Sequence, residues 1–304
     1  MGNFLKTRSV PHDILVYDSL NVRMELSEDE ISYYRSRCKG FEGEKQFDLW
    51  LEDLPNNWLI VNDLVLEHNN TKFQIDSLVI CQRTIYVFEV KNLEGDYYFD
   101  GNFLFMYPSK KEIKNPLNQI ARMETLLRQL LQKHGLNFPI QSSVVFVNPE
   151  FVLLQAQKDL PIIHPPQLNR LKKNLLSIPS TLSEKHTMLA EKLISLHNPK
   201  PSTDNIPEYS YAKVKKGVFC CNCKSLFVSV IKSVIVCSEC GFEESVEDAI
   251  LRNVEEIKRL FPEMRITTKL VHEWCGVVKC KRRVFRILMK HYKQFRKGKL
   301  SYFE

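Results

Sequence analysis

The chain has 304 residues, 44% hydrophobic and 26% charged, an ordinary balance for a globular protein that is long enough for more than one domain. No run approaches the roughly 18 uninterrupted apolar residues of a membrane span, which excludes an apolar transmembrane helix. The formal charge of +7 is uneven: Trp274 to Phe303 holds ten Lys/Arg and no acid, which leaves 33 basic against 36 acidic residues elsewhere.

Met1–Lys6 lacks the apolar core of a signal peptide, and Lys6 stands where a myristoylation site after Gly2 needs Ser or Thr. A cytoplasmic setting is therefore the expectation. The basic C-terminal stretch suits a polyanion, with nucleic acid ahead of an anionic membrane surface; a plain solvated helix face is the alternative. Nine cysteines, an odd count with two Cys-x-x-Cys pairs, suit a reduced compartment and a metal site better than a disulfide framework.

In chain order, residues 1–37 show no clear period and read as an N-terminal arm. A helix is predicted over 41–54, where Phe47, Trp50, Leu51 and Leu54 fall at i, i+3, i+4 and i+7 and Pro55 discourages continuation. Three β-like runs follow at Trp58–Leu66, Lys72–Ile80 and Thr84–Lys91. Asp100-Gly101 between Tyr97–Phe99 and Phe103–Tyr107 signals a hairpin. Asn115 as N-cap, Pro116 at the first helical position and Gly135 past the end mark a second helix. A buried-type strand at Ser143–Val147, an α-rich stretch over 151–197 with a helix near Ser183–His197, and a proline-bearing linker at 198–210 come next. The order implies a mixed α/β domain whose sheet is flanked by helices.

Four residues in this domain carry chemistry. Glu89 and Lys91 share one face of an otherwise apolar strand, where unpaired charges are costly. A turn at 81–83 brings Asp76 alongside Glu89, and Glu44 shares the helical face of Phe47 and Leu51. Three carboxylates and a lysine at one edge form the kind of set that holds Mg²⁺ or Mn²⁺ against a phosphodiester. The plain alternative is a local Glu89–Lys91 ion pair at a strand end.

Gly40-Phe41-Glu42-Gly43-Glu44, Gln74-Ile75-Asp76-Ser77-Leu78-Val79-Ile80, Val87-Phe88-Glu89-Val90-Lys91-Asn92 and Asn115-Pro116-Leu117-Asn118-Gln119 together resemble the successive motifs of the NERD (nuclease-related) domain, over roughly residues 38–155. That family is similar to the restriction-endonuclease-like PD-(D/E)XK nucleases. The resemblance implies a restriction-endonuclease-like mixed sheet and a metal held by Asp76 and Glu89 with the Val90 carbonyl. It further implies Lys91 acting on the attacking water, Glu44 as an auxiliary ligand and Gln119 near the substrate phosphate. Ile75 stands in place of the superfamily's proline. Read from the residues alone, Gln119 equally suits a hydrogen bond to the preceding loop, and Asn92 suits a backbone contact at the strand end.

Cys220-x-x-Cys223, thirteen residues, then Cys237-x-x-Cys240-Gly241 is spacing for tetrahedral Zn²⁺ in a zinc ribbon, with β-like runs at Ser225–Val230 and Ser233–Val236. Cys221 competes with Cys220 by adjacency, and a redox dithiol is the other reading. Beyond it, Ile266–Gly276 and Val278–Phe295 read as two helices in a helix-turn-helix-like arrangement. Lys281, Arg282, Arg283, Arg286 and Lys290 are the expected nucleic-acid contacts, Val284, Phe285, Ile287, Leu288 and Tyr292 the expected core, and Tyr292 and Phe295 candidate stacking residues. Trp274-Cys275 reads as core packing rather than part of a second metal site.

The expected organisation is an arm at 1–37, a nuclease-like domain at 38–197, a linker at 198–210, a zinc ribbon at 211–246 and a basic helical module at 247–304. The expected function is Mg²⁺- or Mn²⁺-dependent cleavage of nucleic acid, DNA favoured, with structural Zn²⁺ and no membrane partner. A nuclease-like scaffold that binds without cutting is the alternative.

Overall fold

The computed structural model describes residues 3–55, 57–199, 205–297 and 300–304. From the N-terminus come β1 (Asn3–Lys6), α1 (His12–Arg23), α2 (Glu28–Leu51), β2 (Leu59–His68), β3 (Thr71–Ile80) and β4 (Ile85–Lys91). Next are β5 (Gly95–Asp100), β6 (Phe103–Tyr107), β7 (Lys111–Ile113), α3 (Pro116–Lys133), β8 (Ile140–Phe146), β9 (Phe151–Leu154) and β10 (Ile162–Ile163). A 3₁₀ turn at Pro165–Gln167, α4 (Leu168–Leu176) and α5 (Glu184–Ser195) follow. The rest holds β11 (Val228–Ile231), β12 (Val234–Cys237), β13 (Glu243–Ser245), α6 (Val246–Leu260), α7 (Thr268–Cys275), α8 (Lys281–His291), β14 (Gln294–Lys297) and β15 (Leu300–Phe303).

The chain divides into two compact units, Met1–Pro11 with Arg35–Pro201 and His12–Tyr34 with Ser202–Glu304. In the first, a mixed six-stranded sheet runs β1-β2-β3-β4-β8-β10, with β2, β3 and β4 antiparallel and β4, β8 and β10 parallel. Parallel β4 and β8 need a long crossover, and α3 lies within it. Asn115 caps α3 by accepting from Leu117 N, with Pro116 at the first turn and Gly135 at φ +69° beyond the end. One face of the sheet buries Leu127, Leu130 and Leu131 of α3 and Leu189 and Leu193 of α5; the other buries Phe47 and Leu51 of α2 and Leu175 of α4. Covered on both faces, β4 is apolar through Ile85–Phe88 instead of alternating, as buried strands are. A second sheet, β7-β6-β5-β9, contains the expected hairpin.

The second unit has its own core. Val16 and Leu20 of α1, Ile235 of β12, Val254 and Ile257 of α6, Trp274 of α7 and Leu288 of α8 pack in one cluster. Three expectations change here. Residues 3–34 are not an arm, because β1 pairs with β2 in the first unit while α1 buries an apolar face in the second. The four-cysteine segment and the helices after it are not separate modules, because Ile235 and the α6–α8 side chains share one core. The last helix stops at His291, where Tyr292 turns extended and a β14–β15 hairpin begins. Phe285 is exposed, and Phe303 fills the core instead. The expected linker falls partly on residues 200–204, outside the described ones.

Arg23 is the buried charge that orders this core. It donates to both oxygens of Glu256, at 2.9 and 2.5 Å, and to the carbonyls of Lys215 and Gly217. Its guanidinium lies 4.1 Å from the Trp274 ring centre and 4.6 Å from that of Phe219. Removing one partner of a buried pair strands the other, a loss of about 3–5 kcal/mol, whereas an apolar pair of similar size is close to neutral. Arg23→Met is therefore expected to lower the opening free energy of the α6 amides by about that amount in hydrogen exchange, and adding Glu256→Met to restore most of it. Unchanged protection in Arg23→Met contradicts this role.

Candidate active site and four-cysteine centre

The site begins where two strands part. Leu59 and Val61 of β2 face the α3 side of the sheet, and so do Leu64 and Leu66; on β3 the same holds for Ile80 and Leu78, then Ile75 and Phe73. Alternation thus slips by one residue on both strands at Asp63 and Asp76, and Asp63 takes a left-handed φ of +53°. Beside this slip the β3–β4 ladder ends at Ser77↔Phe88. The amide of Val90 is met instead by Asp76 Oδ2, at 2.9 Å. The opening is a cleft of about 370 Å³, lined by Glu44, Asp76, Glu89, Val90, Lys91 and Gln119 among others.

All five catalytic candidates and the Val90 backbone therefore meet in one place. Extending the ladder by one step sets Asp76 opposite Glu89, and directly opposed residues project to the same face. Glu89 continues the Ile85, Val87 series on the α3 side. From α3, Gln119 Oε1 accepts from Lys91 Nζ at 3.2 Å, and Glu89 Oε1 accepts from the same ammonium at 2.7 Å. Among the described hydrogen bonds the Gln119 side chain meets Lys91 and not the loop before α3. Asn92 Nδ2 donates to the backbone carbonyl of Lys39, and Gly43 of α2 allows that approach, since a Cβ there would stand 2.4 Å from Asn92 Cβ.

Glu44 behaves differently. It comes from α2, on the opposite face of the sheet, and Arg8 Nη1 donates to its Oε2 at 2.8 Å. Among the described residues, the four-cysteine group is the only set of three or more Cys, His, Asp or Glu side chains whose ligand atoms lie within 4.8 Å of one another. The three carboxylates line one cleft without closing into a single ligand trio. Arg8 was missed by the sequence reading, and its side chain is only 3% exposed. It also grips both oxygens of Asp48 and the Asp76 carbonyl, while Asn62 donates to Asp48 Oδ1. The available signal was Glu44 and Asp48, one turn apart on the Phe47–Leu51 face: two inward carboxylates require a cation.

Burial dominates the electrostatics. It pushes Glu44 up to about 8 and Glu89 up to about 7, with Asp76 adding repulsion at both, and it raises Asp76 as well. Lys91 works against the rise at Glu89 and Asp76. Burial of this kind disfavours charged carboxylates unless a cation stands beside them. Asp76, Glu89 and Val90 line the cleft together, and carboxylate and carbonyl oxygens are the donor type that hard dications prefer.

A family model described as the nuclease-related domain, NERD, matches residues 39–147. Residues 39–147 carry a NERD domain. The match contains Glu44, Asp76, Glu89, Lys91 and Gln119, and Arg8 lies outside it. No curated protein and no solved structure matches the chain significantly.

Beyond the NERD domain, Cys220, Cys223, Cys237 and Cys240 converge, with Cys220–Cys240 sulfurs 3.6 Å and Cys223–Cys237 sulfurs 3.5 Å apart. Tetrahedral Zn–S bonds of about 2.3 Å place sulfurs about 3.8 Å apart, so the four thiols fit one metal-binding centre. Both pairs are built alike. Lys224 N donates to Cys220 O and Cys220 N to Ser225 O; Gly241 N donates to Cys237 O and Cys237 N to Phe242 O. Lys224 and Gly241 each take a left-handed φ, +63° and +70°. Cys221 lies outside the cluster, which resolves the choice in favour of Cys220.

The five basic candidates all fall on α8. Lys290 is paired with Glu247 and Arg283 donates to Lys232 O, while Lys281, Arg282 and Arg286 hold no ion pair among the described residues. Tyr292 OH bonds Glu255, and Phe295 stacks on Tyr302, so neither ring stands open as a platform for bases. Among the described residues no helix is long and apolar enough to cross a membrane.

Carboxylates raised in the folded state contribute stability that is complete below their ordinary value of 4.5 and is lost as pH climbs to about 7 at Glu89 and about 8 at Glu44. The thermal midpoint without added divalent ions is expected to fall across that window, and millimolar Mn²⁺ or Glu44→Gln to flatten the fall; a midpoint that rises with pH there contradicts it. For the sulfur site, Cys220→Ala is expected to abolish the metal content of purified protein measured by atomic absorption, and Cys221→Ala to leave it intact.

Proposed function

We propose that the first unit is a Mg²⁺- or Mn²⁺-dependent nuclease that hydrolyses phosphodiester bonds of nucleic acid, with DNA the favoured substrate. The observation that carries this reading is one cleft in which Asp76 is anchored on Val90 N while Lys91 is pinned between Glu89 and Gln119. When bound, the cation supplies Lewis-acid polarisation of the phosphate and neutralises the leaving oxygen. The remaining work falls to side chains. Asp76 and Glu89 would hold the cation together with the Val90 carbonyl. Lys91 offers its ammonium to the attacking water and to the charge that builds on the phosphoryl oxygens, and Gln119 fixes where that ammonium points. Glu44, held by Arg8, takes an auxiliary place as a hydrogen-bond partner for water at the cleft wall. The second unit contributes a structural Zn²⁺ at its four cysteines and three unpaired cations, Lys281, Arg282 and Arg286, on α8 for nucleic-acid binding.

The test is cleavage of labelled DNA and RNA, single- and double-stranded, with Mg²⁺, Mn²⁺ or no divalent ion added. Chelators are avoided because they also strip zinc. Glu89→Ala and Lys91→Ala are each expected to lower the rate by about 10²-fold or more with binding retained. Gln119→Ala is expected to cost about tenfold, since it aims Lys91 without touching the reacting atoms. Binding without cleavage by the parent assigns the protein to the non-cutting scaffold reading. Cutting that persists unchanged in both Ala variants assigns it to a contaminant.

A further inference from the structure

The catalytic cleft has five acids on its walls, Glu44, Asp63, Asp76, Glu89 and Glu94, against four cations, Arg8, Arg37, Lys39 and Lys91. Charges so nearly balanced offer a polyanion little net attraction, so phosphates beyond the reacting one need cations beside the cleft. Directly adjoining it is a second groove of about 460 Å³, and Gln74 and Gln119 line both. This groove has no carboxylate in its lining and three cations: Lys72 from the start of β3, Lys114 from the loop before α3 and Arg122 from α3.

All three are exposed, and none is held in an ion pair among the described residues. Even Glu67, opposite Lys72 in the β2–β3 ladder, makes no ion pair with it. Unpaired cations gathered from three separate segments, with the amides of Gln74, Asn118 and Gln119 between them, form a surface for phosphate oxygens along a strand.

We propose that this groove is the nucleic-acid track of the nuclease unit: a strand leaves the catalytic cleft past Gln74 and Gln119, and its backbone phosphates lie on Lys72, Lys114 and Arg122. The assignment rests on the nuclease reading above and adds where the substrate runs. The α8 cations belong to the other unit, whereas these three share their unit with the cleft and adjoin it.

The experiment uses full-length protein in a Glu89→Gln background, without added divalent ions, so that binding is read without cleavage. Fluorescence anisotropy with a labelled single-stranded DNA, its RNA counterpart and the DNA duplex gives affinity against salt concentration. The Lys72→Gln, Lys114→Gln, Arg122→Gln triple variant is expected to lower the log–log salt slope by about 2 to 3, because each lost phosphate contact removes about 0.7 to 0.9. The arm whose slope falls most identifies the strand type. Hydrogen exchange on the Glu89→Gln parent serves as a check independent of the triple variant's folding: bound oligonucleotide is expected to protect amides at 72–74 and 114–119. An unchanged slope in a folded triple variant, or no protection there with oligonucleotide bound, overturns the track while leaving the nuclease reading standing. A parent that binds none of the three nucleic acids overturns both.

Discussion

One hydrogen bond organises the first unit: Asp76 Oδ2 accepting from the amide of Val90. It exists because β3 and β4 stop pairing at Ser77↔Phe88, and it satisfies an amide that the lost ladder would leave orphaned inside the protein. The same bond fixes Asp76 beside Glu89 and leaves the Val90 carbonyl at the cleft. Strand parting, site geometry and backbone accounting are thus one event. The slip of β2 and β3 at Asp63 and Asp76 is its companion, re-aiming a carboxylate at the point where the sheet opens.

The charges around this bond are arranged in opposition. Burial pushes Asp76 and Glu89 toward the neutral form, Asp76 adds to that push at Glu89, and Lys91 draws both back. On the other face, Arg8 permanently neutralises part of the Glu44–Asp48 pair, and Asn62 satisfies a further oxygen of Asp48. Arg8 is thus a fixed cation on the Glu44 side of the cleft, and Lys91 is the cation on the Glu89 side. Arg8 lies outside the NERD match, so the cleft wall is completed by a segment that the family model does not span.

Much of the first unit was legible in the sequence because its signals are local. The Asn115-Pro116 start and Gly135 stop delimit α3, Asp100-Gly101 marks a hairpin, and Glu89 and Lys91 share a face by the period of a strand. The convergence of Glu44, Asp76, Glu89, Lys91 and Gln119 was reachable from four motifs taken together. What escaped depends on contacts distant in sequence. Arg8 lies 36 residues from Glu44 and 68 from Asp76, in a stretch without periodicity, and no local pattern reports such a partnership. The N-terminal residues looked like an arm because α1 becomes amphipathic only against a core assembled from residues beyond 202. The C-terminal hairpin was hidden because Tyr292 and Phe295 extend the apolar period of α8 although the helix has already ended.

The most direct test of the central claim is a crystal of the protein soaked in Mn²⁺, with the ion located by its anomalous scattering. A single peak about 2.1 Å from carboxylate oxygens of Asp76 and Glu89 and from the Val90 carbonyl is the predicted result. Mn²⁺ bound elsewhere in the unit, with Lys91 still closing the gap between Glu89 and Gln119, contradicts it.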